Sequence, residues 1–183
     1  MGRQIGIVFD LDGTLIHTAP ALAKAGNELL LELDLPPVTV DIYITFIGGG
    51  IPMQVKKLLQ FSNYNFENSL DKYIKKFKRI YYQDPLVGTT MYPGVEKVLQ
   101  ELNSKCQNLA ICTQKNEAPA RFILEKFGIL KYFSGFAFGD SLDVLKPDPR
   151  MVQHATKNFI SDRFIYVGDS LTDAETARNS KAT

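Results

Sequence analysis

Ile5-Gly6-Ile7-Val8-Phe9-Asp10-Leu11-Asp12-Gly13-Thr14-Leu15 is the stretch that decides how the chain reads. Its apolar run is too short for a helix and stops abruptly at two carboxylates and a glycine. That pattern predicts a buried strand running into a tight turn, at the strand edge where open α/β sheets bind ligands. Asp and Gly are common turn formers, so a purely structural acidic turn is one account of the hexapeptide Asp10–Leu15. Yet like charges this close are costly unless a cation or a shared proton relieves them. A calcium EF-hand does not fit. Counting from Asp10, Leu15 stands where that loop needs glycine and Ala21 where it needs a bidentate glutamate.

Three further apolar runs end in the same way: Leu109–Cys112 before Thr113, Phe136–Phe138 before Gly139-Asp140, and Phe164–Val167 before Gly168-Asp169. They read as buried parallel strands with polar C-terminal ends. Helical patterns alternate with them. Val95, Val98, Leu99 and Leu102 follow Pro93-Gly94; Phe122, Ile123, Leu124 and Phe127 are closed by Gly128; Met151, Val152, Ala155 and Phe159 follow Pro149. The alternation predicts an α/β fold, a doubly wound parallel sheet with a Rossmann-like core.

The interval from Ile16 to about Pro85 breaks this rhythm. It offers helical stretches at Ala19–Leu33, Val38–Phe46, Pro52–Phe61 and Phe66–Tyr82 and no convincing buried strand, so residues 16–87 are expected to form a helical cap inserted between core segments 1–15 and 88–183. His17-Thr18-Ala19-Pro20 and Gln83-Asp84-Pro85-Leu86-Val87-Gly88 make suitable linkers. The last cap helix alternates Phe66, Leu70, Tyr73, Ile74, Phe77, Ile80 and Tyr81 with Lys72, Lys75, Lys76, Lys78 and Arg79. A packed stripe with a solvated basic face accounts for that pattern, and attraction of an anionic ligand is the other reading.

A length of 183 residues suits one core with a modest insertion. The 45% hydrophobic and 22% charged fractions are ordinary, and a formal net charge of +1 gives no electrostatic reason to expect nucleic acid or an anionic membrane as partner. Cys106 and Cys112 have neither metal-ligand nor disulfide-framework spacing, which points to reduced thiols. The N-terminus lacks the cationic-then-apolar pattern of a signal region, and no stretch approaches the roughly 20 apolar residues of a membrane span. A cytoplasmic protein is expected.

A second acidic turn, Gly168-Asp169-Ser170-Leu171-Thr172-Asp173, follows the last apolar run and opens a helix over Ala174–Asn179. Asp or Ser there could simply cap the helix. Hard cations such as magnesium, however, take carboxylate oxygens and are commonly held by one or two carboxylates plus substrate phosphate and water. Asp10 with Asp169 meets that demand. A phosphate would also need donors: Thr113 offers a hydroxyl, Lys146 an ammonium, and the turn Leu11–Gly13 backbone N–H groups. Taken alone, a strand-end Thr is usually structural and a Lys before Pro147-Asp148-Pro149 a surface charge.

In order and context these residues resemble the four motifs of the haloacid dehalogenase-like hydrolase superfamily, carried here by Asp10–Leu15, Thr113, Lys146 and Gly168–Asp173. The similarity spans essentially the whole chain. It is nearest to the phosphoglycolate phosphatase-like branch through Tyr92-Pro93-Gly94-Val95, Leu124-Glu125-Lys126-Phe127-Gly128, Lys146-Pro147-Asp148-Pro149 and Tyr166-Val167-Gly168-Asp169-Ser170. The resemblance implies a magnesium-dependent phosphatase acting on a small anionic phosphate ester, 2-phosphoglycolate in particular. It implies that Asp10 is the nucleophile forming an aspartyl-phosphate, and that Asp12 protonates the leaving oxygen and later activates water. It assigns the metal to the Asp10 carboxylate, the Asp12 backbone carbonyl and Asp169, with Asp173 as an outer or auxiliary acid. Thr113 and Lys146 would hold the phosphoryl oxygens. Gly13, Thr14 and Gln114 are candidate substrate contacts in the core, and Gly48, Gly49 and Lys57 in the cap, where Lys57 would meet a substrate carboxylate; loop flexibility accounts for the glycines equally well.

Three features depart from the family pattern. Gln114 stands where the branch usually has Asn, and His17 where the family often has Asp, at the hinge into the cap. Relatives usually continue past the fourth-motif helix into another strand, so the expectation is either a shortened chain or a four-stranded core lacking that C-terminal strand, whose exposed edge would invite pairing with another molecule; a monomer or weak homodimer is expected. Rival functions are β-phosphoglucomutase-like phosphoryl transfer, a broad sugar-phosphate or nucleotide phosphatase, and a catalytically silent metal-binding or interaction module on the same scaffold.

Overall fold

The computed structural model describes residues 5–105, 108–161 and 163–182; Cys106 lies outside them. The chain divides into two units, one of residues up to His17 and from Met91 onward, the other Thr18–Thr90. Both boundaries drawn from sequence lie a few residues N-terminal to these, 16 against 18 and 88 against 91.

The first unit is built on four strands, β1 (Gly6–Phe9), β4 (Leu109–Cys112), β5 (Gly135–Ala137) and β6 (Phe164–Val167), in the order β5-β4-β1-β6. All three pairings are parallel. β1 and β4 are buried along their whole length, as expected of central strands that read as continuous apolar runs. Ile7 is level with Leu109 and Ile165, and Phe9 with Ile111 and Val167. The alternate residues Val8, Ala110, Ala137 and Tyr166 pack with Met151, Val152 and Ala155 of α7 (Arg150–Thr156). α5 (Val95–Ser104) buries Leu99, and α6 (Glu117–Lys126) buries Ile123 and Leu124. A 3-10 turn at Leu130–Tyr132 leads to Phe133, whose ring meets Phe9 edge-on at 6.3 Å. The last helix, α8 (Leu171–Asn179), starts earlier than its sequence pattern suggests because Ser170 and Asp173 form a reciprocal capping box. β6 departs from the expectation of a buried strand. Among the described residues its only neighbour is β1, and Ile165 and Val167 stay 40% and 36% exposed.

Two short strands, β2 (Ile16–His17) and β3 (Thr90–Met91), pair where the chain leaves and re-enters this unit. The ring of His17 lies 6.0 Å from that of Tyr92.

The second unit is helical: α1 (Ala19–Leu31), α2 (Val40–Ile44), α3 (Gly50–Phe61) and α4 (Leu70–Gln83). α4 buries Tyr73, Phe77 and Tyr81 at four-residue intervals, while Lys72, Lys75 and Arg79 are exposed and Lys76 pairs with Glu32. This is the packed-stripe arrangement. Phe66 falls outside the helix, because the Ser69 N–H and hydroxyl both turn back to the Phe66 carbonyl. Gly48, Gly49 and Gly50 all have positive φ (119°, 72°, 72°), backbone that L side chains adopt with difficulty. A Cβ on Gly49 would also stand 2.8 Å from Met53 Cβ. The glycines thus set the entry into α3, two residues ahead of Pro52.

Candidate active site

Asp10 continues β1 by one residue, its N–H donating to the Val167 carbonyl at 2.9 Å, and Thr113 continues β4 by donating to the Ala137 carbonyl at 2.9 Å. Parallel pairing therefore brings the polar ends of β1, β4 and β6 to one edge of the sheet. After Asp10 the chain winds tightly: the N–H groups of Thr14, Leu15 and Ile16 converge on the Leu11 carbonyl, and the Gly13 N–H goes to the Ile16 carbonyl at 2.9 Å. Gly13 has φ +86°, and a Cβ there would lie 2.3 Å from Asp169 Oδ2. The Gly13 N–H, considered in sequence as a substrate donor, is engaged within the turn. The residue's visible role is to let the Asp169 carboxylate come close.

Asp10, Asp169 and Asp173 offer carboxylate oxygens that all lie within 4.8 Å of one another. Asp173 is buried and fully engaged. Oδ1 accepts from Lys146 Nζ at 2.7 Å and the Tyr166 hydroxyl at 3.1 Å; Oδ2 accepts from the Ser170 hydroxyl at 2.5 Å and the Ser170 N–H at 3.1 Å. Asp169 is exposed and accepts the Thr14 hydroxyl on Oδ1 at 3.1 Å. Asp10 is buried, and Lys146 Nζ stands 2.9 Å from its Oδ1 in ion-pair range. The contact is an ion pair outside good hydrogen-bond geometry, and Oδ1 takes no well-formed hydrogen bond.

Burial pushes the Asp10 carboxyl up to about 6, against the pull of Lys146 and with further upward pressure from Asp173 and Asp12. Burial also works to lower the Lys146 ammonium, but Asp10 and Asp173 outweigh it and the group is raised above its ordinary range. For Asp173, burial acts upward and is overcome by Lys146 and the Ser170 hydrogen bonds, leaving the carboxyl below its usual value. Burial raises the Cys112 thiol to about 12, so it stays neutral beside this charge.

The other acid, Asp12, faces Lys115, whose Nζ is 3.1 Å from each of its oxygens. The turn after β4 thus carries two tethers. Lys115 reaches Asp12, and the Gln114 amide donates to the Lys146 backbone carbonyl at 2.8 Å. Gln114 and Thr14, both considered as substrate contacts, are here directed to Lys146 and to Asp169. Lys115, two residues after Thr113, and Tyr166, inside a quoted motif, are site residues that the sequence pattern did not single out. Tyr92 was passed over too, and its phenol is raised first by burial and then by Asp169 and Asp12. Gly48, Gly49 and Lys57 belong to the helical unit, where Lys57 lies half-buried on α3.

Four carboxylates (Asp10, Asp12, Asp169, Asp173) face two ammonium groups (Lys115, Lys146) in this cluster. The formal excess of two negative charges, all on hard oxygen ligands, fits a divalent cation such as magnesium. The Asp10 and Asp169 carboxylates could hold one. Asp173, with both oxygens taken, is suited to orienting Lys146.

The model of the haloacid dehalogenase-like hydrolases matches residues 7–183. The chain belongs to that family. It is 38% identical over 173 residues to a phosphoglycolate phosphatase of Cereibacter sphaeroides (strain ATCC 17025 / ATH 2.4.3), covering 94% of this chain and 79% of that protein. It is 37% identical over 174 residues to the phosphoglycolate phosphatase of Rhodobacter capsulatus, covering 95% and 80%. A crystal structure described as a predicted phosphoglycolate phosphatase from Haemophilus somnus 129pt superposes with a TM-score of 0.85 at 28% identity, over 100% of this chain and 85% of that one. This haloacid dehalogenase-like hydrolase is thus a phosphoric monoester hydrolase with its relatives in the phosphoglycolate phosphatase-like branch. Among the described residues no helix is long and apolar enough to cross a membrane.

Proposed function

We propose that the protein hydrolyses a small anionic phosphate monoester, 2-phosphoglycolate, with magnesium as cofactor and through an aspartyl-phosphate on Asp10. The observation that carries this reading is the buried Asp10 Oδ1, which takes no well-formed hydrogen bond and faces Lys146 at 2.9 Å. A carboxylate oxygen left without a well-formed hydrogen bond keeps its lone pairs available for attack on phosphorus or for a cation, and the adjacent ammonium offsets repulsion from the incoming phosphate. The identity to phosphoglycolate phosphatases supports the substrate.

Asp10, the Asp12 carbonyl and Asp169 would hold magnesium, which would supply neutralisation of the charge on the phosphoryl oxygens. The rest falls to side chains of the chain itself. Lys146, aimed by Asp173, holds a phosphoryl oxygen, and the Thr113 hydroxyl at the end of β4 donates to another. Asp12 gives its proton to the departing glycolate oxygen, then takes one from the water that attacks the aspartyl-phosphate. Thr14 keeps Asp169 turned toward Asp10. In this account Gly13 permits the approach of Asp169, and the cap residues Gly48, Gly49 and Lys57 contribute substrate selection.

The test is release of inorganic phosphate by the purified protein, with and without magnesium, from 2-phosphoglycolate, hexose phosphates and nucleoside monophosphates. Magnesium-dependent turnover fastest with 2-phosphoglycolate is expected. Much faster turnover of sugar phosphates or nucleotides would overturn the substrate, and equal rates after metal removal would overturn the cofactor.

A further inference from the structure

Lys115 is a buried lysine that none of the four motif assignments uses. Its side chain is 4% exposed and that of its partner Asp12 14%. Nζ is equidistant, at 3.1 Å, from both Asp12 oxygens. Three backbone constraints deliver it there. The Lys115 N–H donates to the Thr113 hydroxyl at 3.2 Å, which folds the chain back immediately after β4. The Gly139 N–H donates to the Lys115 carbonyl at 2.8 Å. Gly139 also packs so closely that a Cβ would lie 2.2 Å from the Gln114 carbonyl oxygen. A lysine merely parked in a core would not require its loop to be fixed at both ends.

We propose that Lys115 is the positioning residue for Asp12: it fixes the plane and direction of that carboxylate so that proton transfer to the leaving oxygen occurs in line. The inference rests on the reading of Asp12 as the proton donor. Net stability is a poor account of such a pair, because desolvation of two buried charges offsets most of their attraction. A compact ammonium equidistant from both oxygens does constrain a short carboxylate that could otherwise rotate. Proton transfer needs the donor within roughly 2.6–3.2 Å of its target, and about 1 Å of misplacement costs on the order of 100-fold in rate.

A merely structural lysine and a positioning lysine differ in what they do to leaving groups. Loss of an alkyl alcohol needs a proton, whereas loss of p-nitrophenolate does not. For Lys115→Met, kcat/KM with 2-phosphoglycolate should fall by about 30- to 100-fold, while kcat/KM with p-nitrophenyl phosphate should change by less than about 3-fold. Lys115→Gln, which keeps an N–H donor, should fall between wild type and Lys115→Met, and it serves as the primary variant should Lys115→Met not fold. In an Asp12→Asn background the same Lys115 substitution should cost nothing more, because the group it positions is already gone. Equal losses with both esters, or additive losses in the double variant, would overturn the proposal. If the wild type turns over p-nitrophenyl phosphate but not 2-phosphoglycolate, the substrate assignment fails separately, and the same comparison with ethyl phosphate as the alkyl ester still decides the role of Lys115.

Discussion

Lys146 Nζ stands 2.9 Å from Asp10 Oδ1 as an ion pair outside good hydrogen-bond geometry. The ammonium gives its short contact, 2.7 Å, to Asp173. The nucleophile candidate is thus held beside a cation but left with an open oxygen, and its behaviour toward protons, metal and mutation follows from that.

Replacing Asp10 by Asn should abolish turnover, by about 1,000-fold or more, yet stabilise the metal-free protein at neutral pH. Burial raises the folded-state carboxyl to about 6, above the roughly 3.9 of an unfolded chain. A group raised on folding favours the folded state below its unfolded value, and that contribution is lost as pH rises through the folded value. Above pH 6, therefore, ionised Asp10 costs the metal-free protein stability, on the order of 1–3 kcal/mol. Urea unfolding in EDTA at pH 7.5 should show Asp10→Asn more stable than wild type, while at pH 4 the two should converge. A less stable variant at pH 7.5 would contradict the account.

Magnesium must compete with that proton. Between pH 5 and 6 its apparent affinity should weaken by up to about tenfold for one unit of acidification, and above about pH 7 it should be nearly constant. Calorimetric titration of magnesium across this range checks the dependence; a flat profile would remove Asp10 from the ligand set.

Asp169 and Asp173 should separate cleanly. Asp169→Asn removes an accessible ligand and should weaken magnesium by about 100-fold with little effect on folding. Asp173→Asn disturbs both the capping box and the partner of Lys146. It should destabilise the protein by about 2–4 kcal/mol, lower kcat, and change magnesium affinity only a few-fold. Parallel magnesium titrations and thermal unfolding of the two variants distinguish a ligand from an orienting acid.

Gly13→Ala should behave as a site mutation although it removes no functional group. The new Cβ would press on the Asp169 carboxylate at 2.3 Å and sit at φ +86°. A stability loss of about 1–3 kcal/mol together with a weakened magnesium site is expected, and wild-type magnesium affinity would refute the steric reading.

The strand ends were legible in the sequence because each apolar run stops abruptly at the residue that matters: Phe9 before Asp10, Cys112 before Thr113, Val167 before Gly168-Asp169. Parallel pairing then does the rest, since it carries all strand ends to one edge. What the sequence did not reveal is which side chain of a turn points where. Thr113-Gln114-Lys115 suggested Gln114 as the substrate contact. The hydroxyl-capped turn sends Gln114 to the Lys146 carbonyl and Lys115 to Asp12, a choice set by backbone dihedrals that no periodicity encodes. The Thr14 to Asp169 hydrogen bond joins residues 155 positions apart and was equally invisible. In the cap, apolar spacing gave the helices. Their ends were set by local turns, the left-handed glycines before α3 and the Phe66–Ser69 turn before α4.

The central claim is that phosphoryl groups pass through Asp10. Acid quenching of the protein during magnesium-dependent turnover of 2-phosphoglycolate, followed by borohydride reduction and peptide mass spectrometry, tests it most directly. Reduction of an acyl phosphate at Asp10 should yield homoserine at position 10, and only when substrate and magnesium were both present. Steady turnover with Asp10 unmodified, or the reduced residue at any other position, would contradict it.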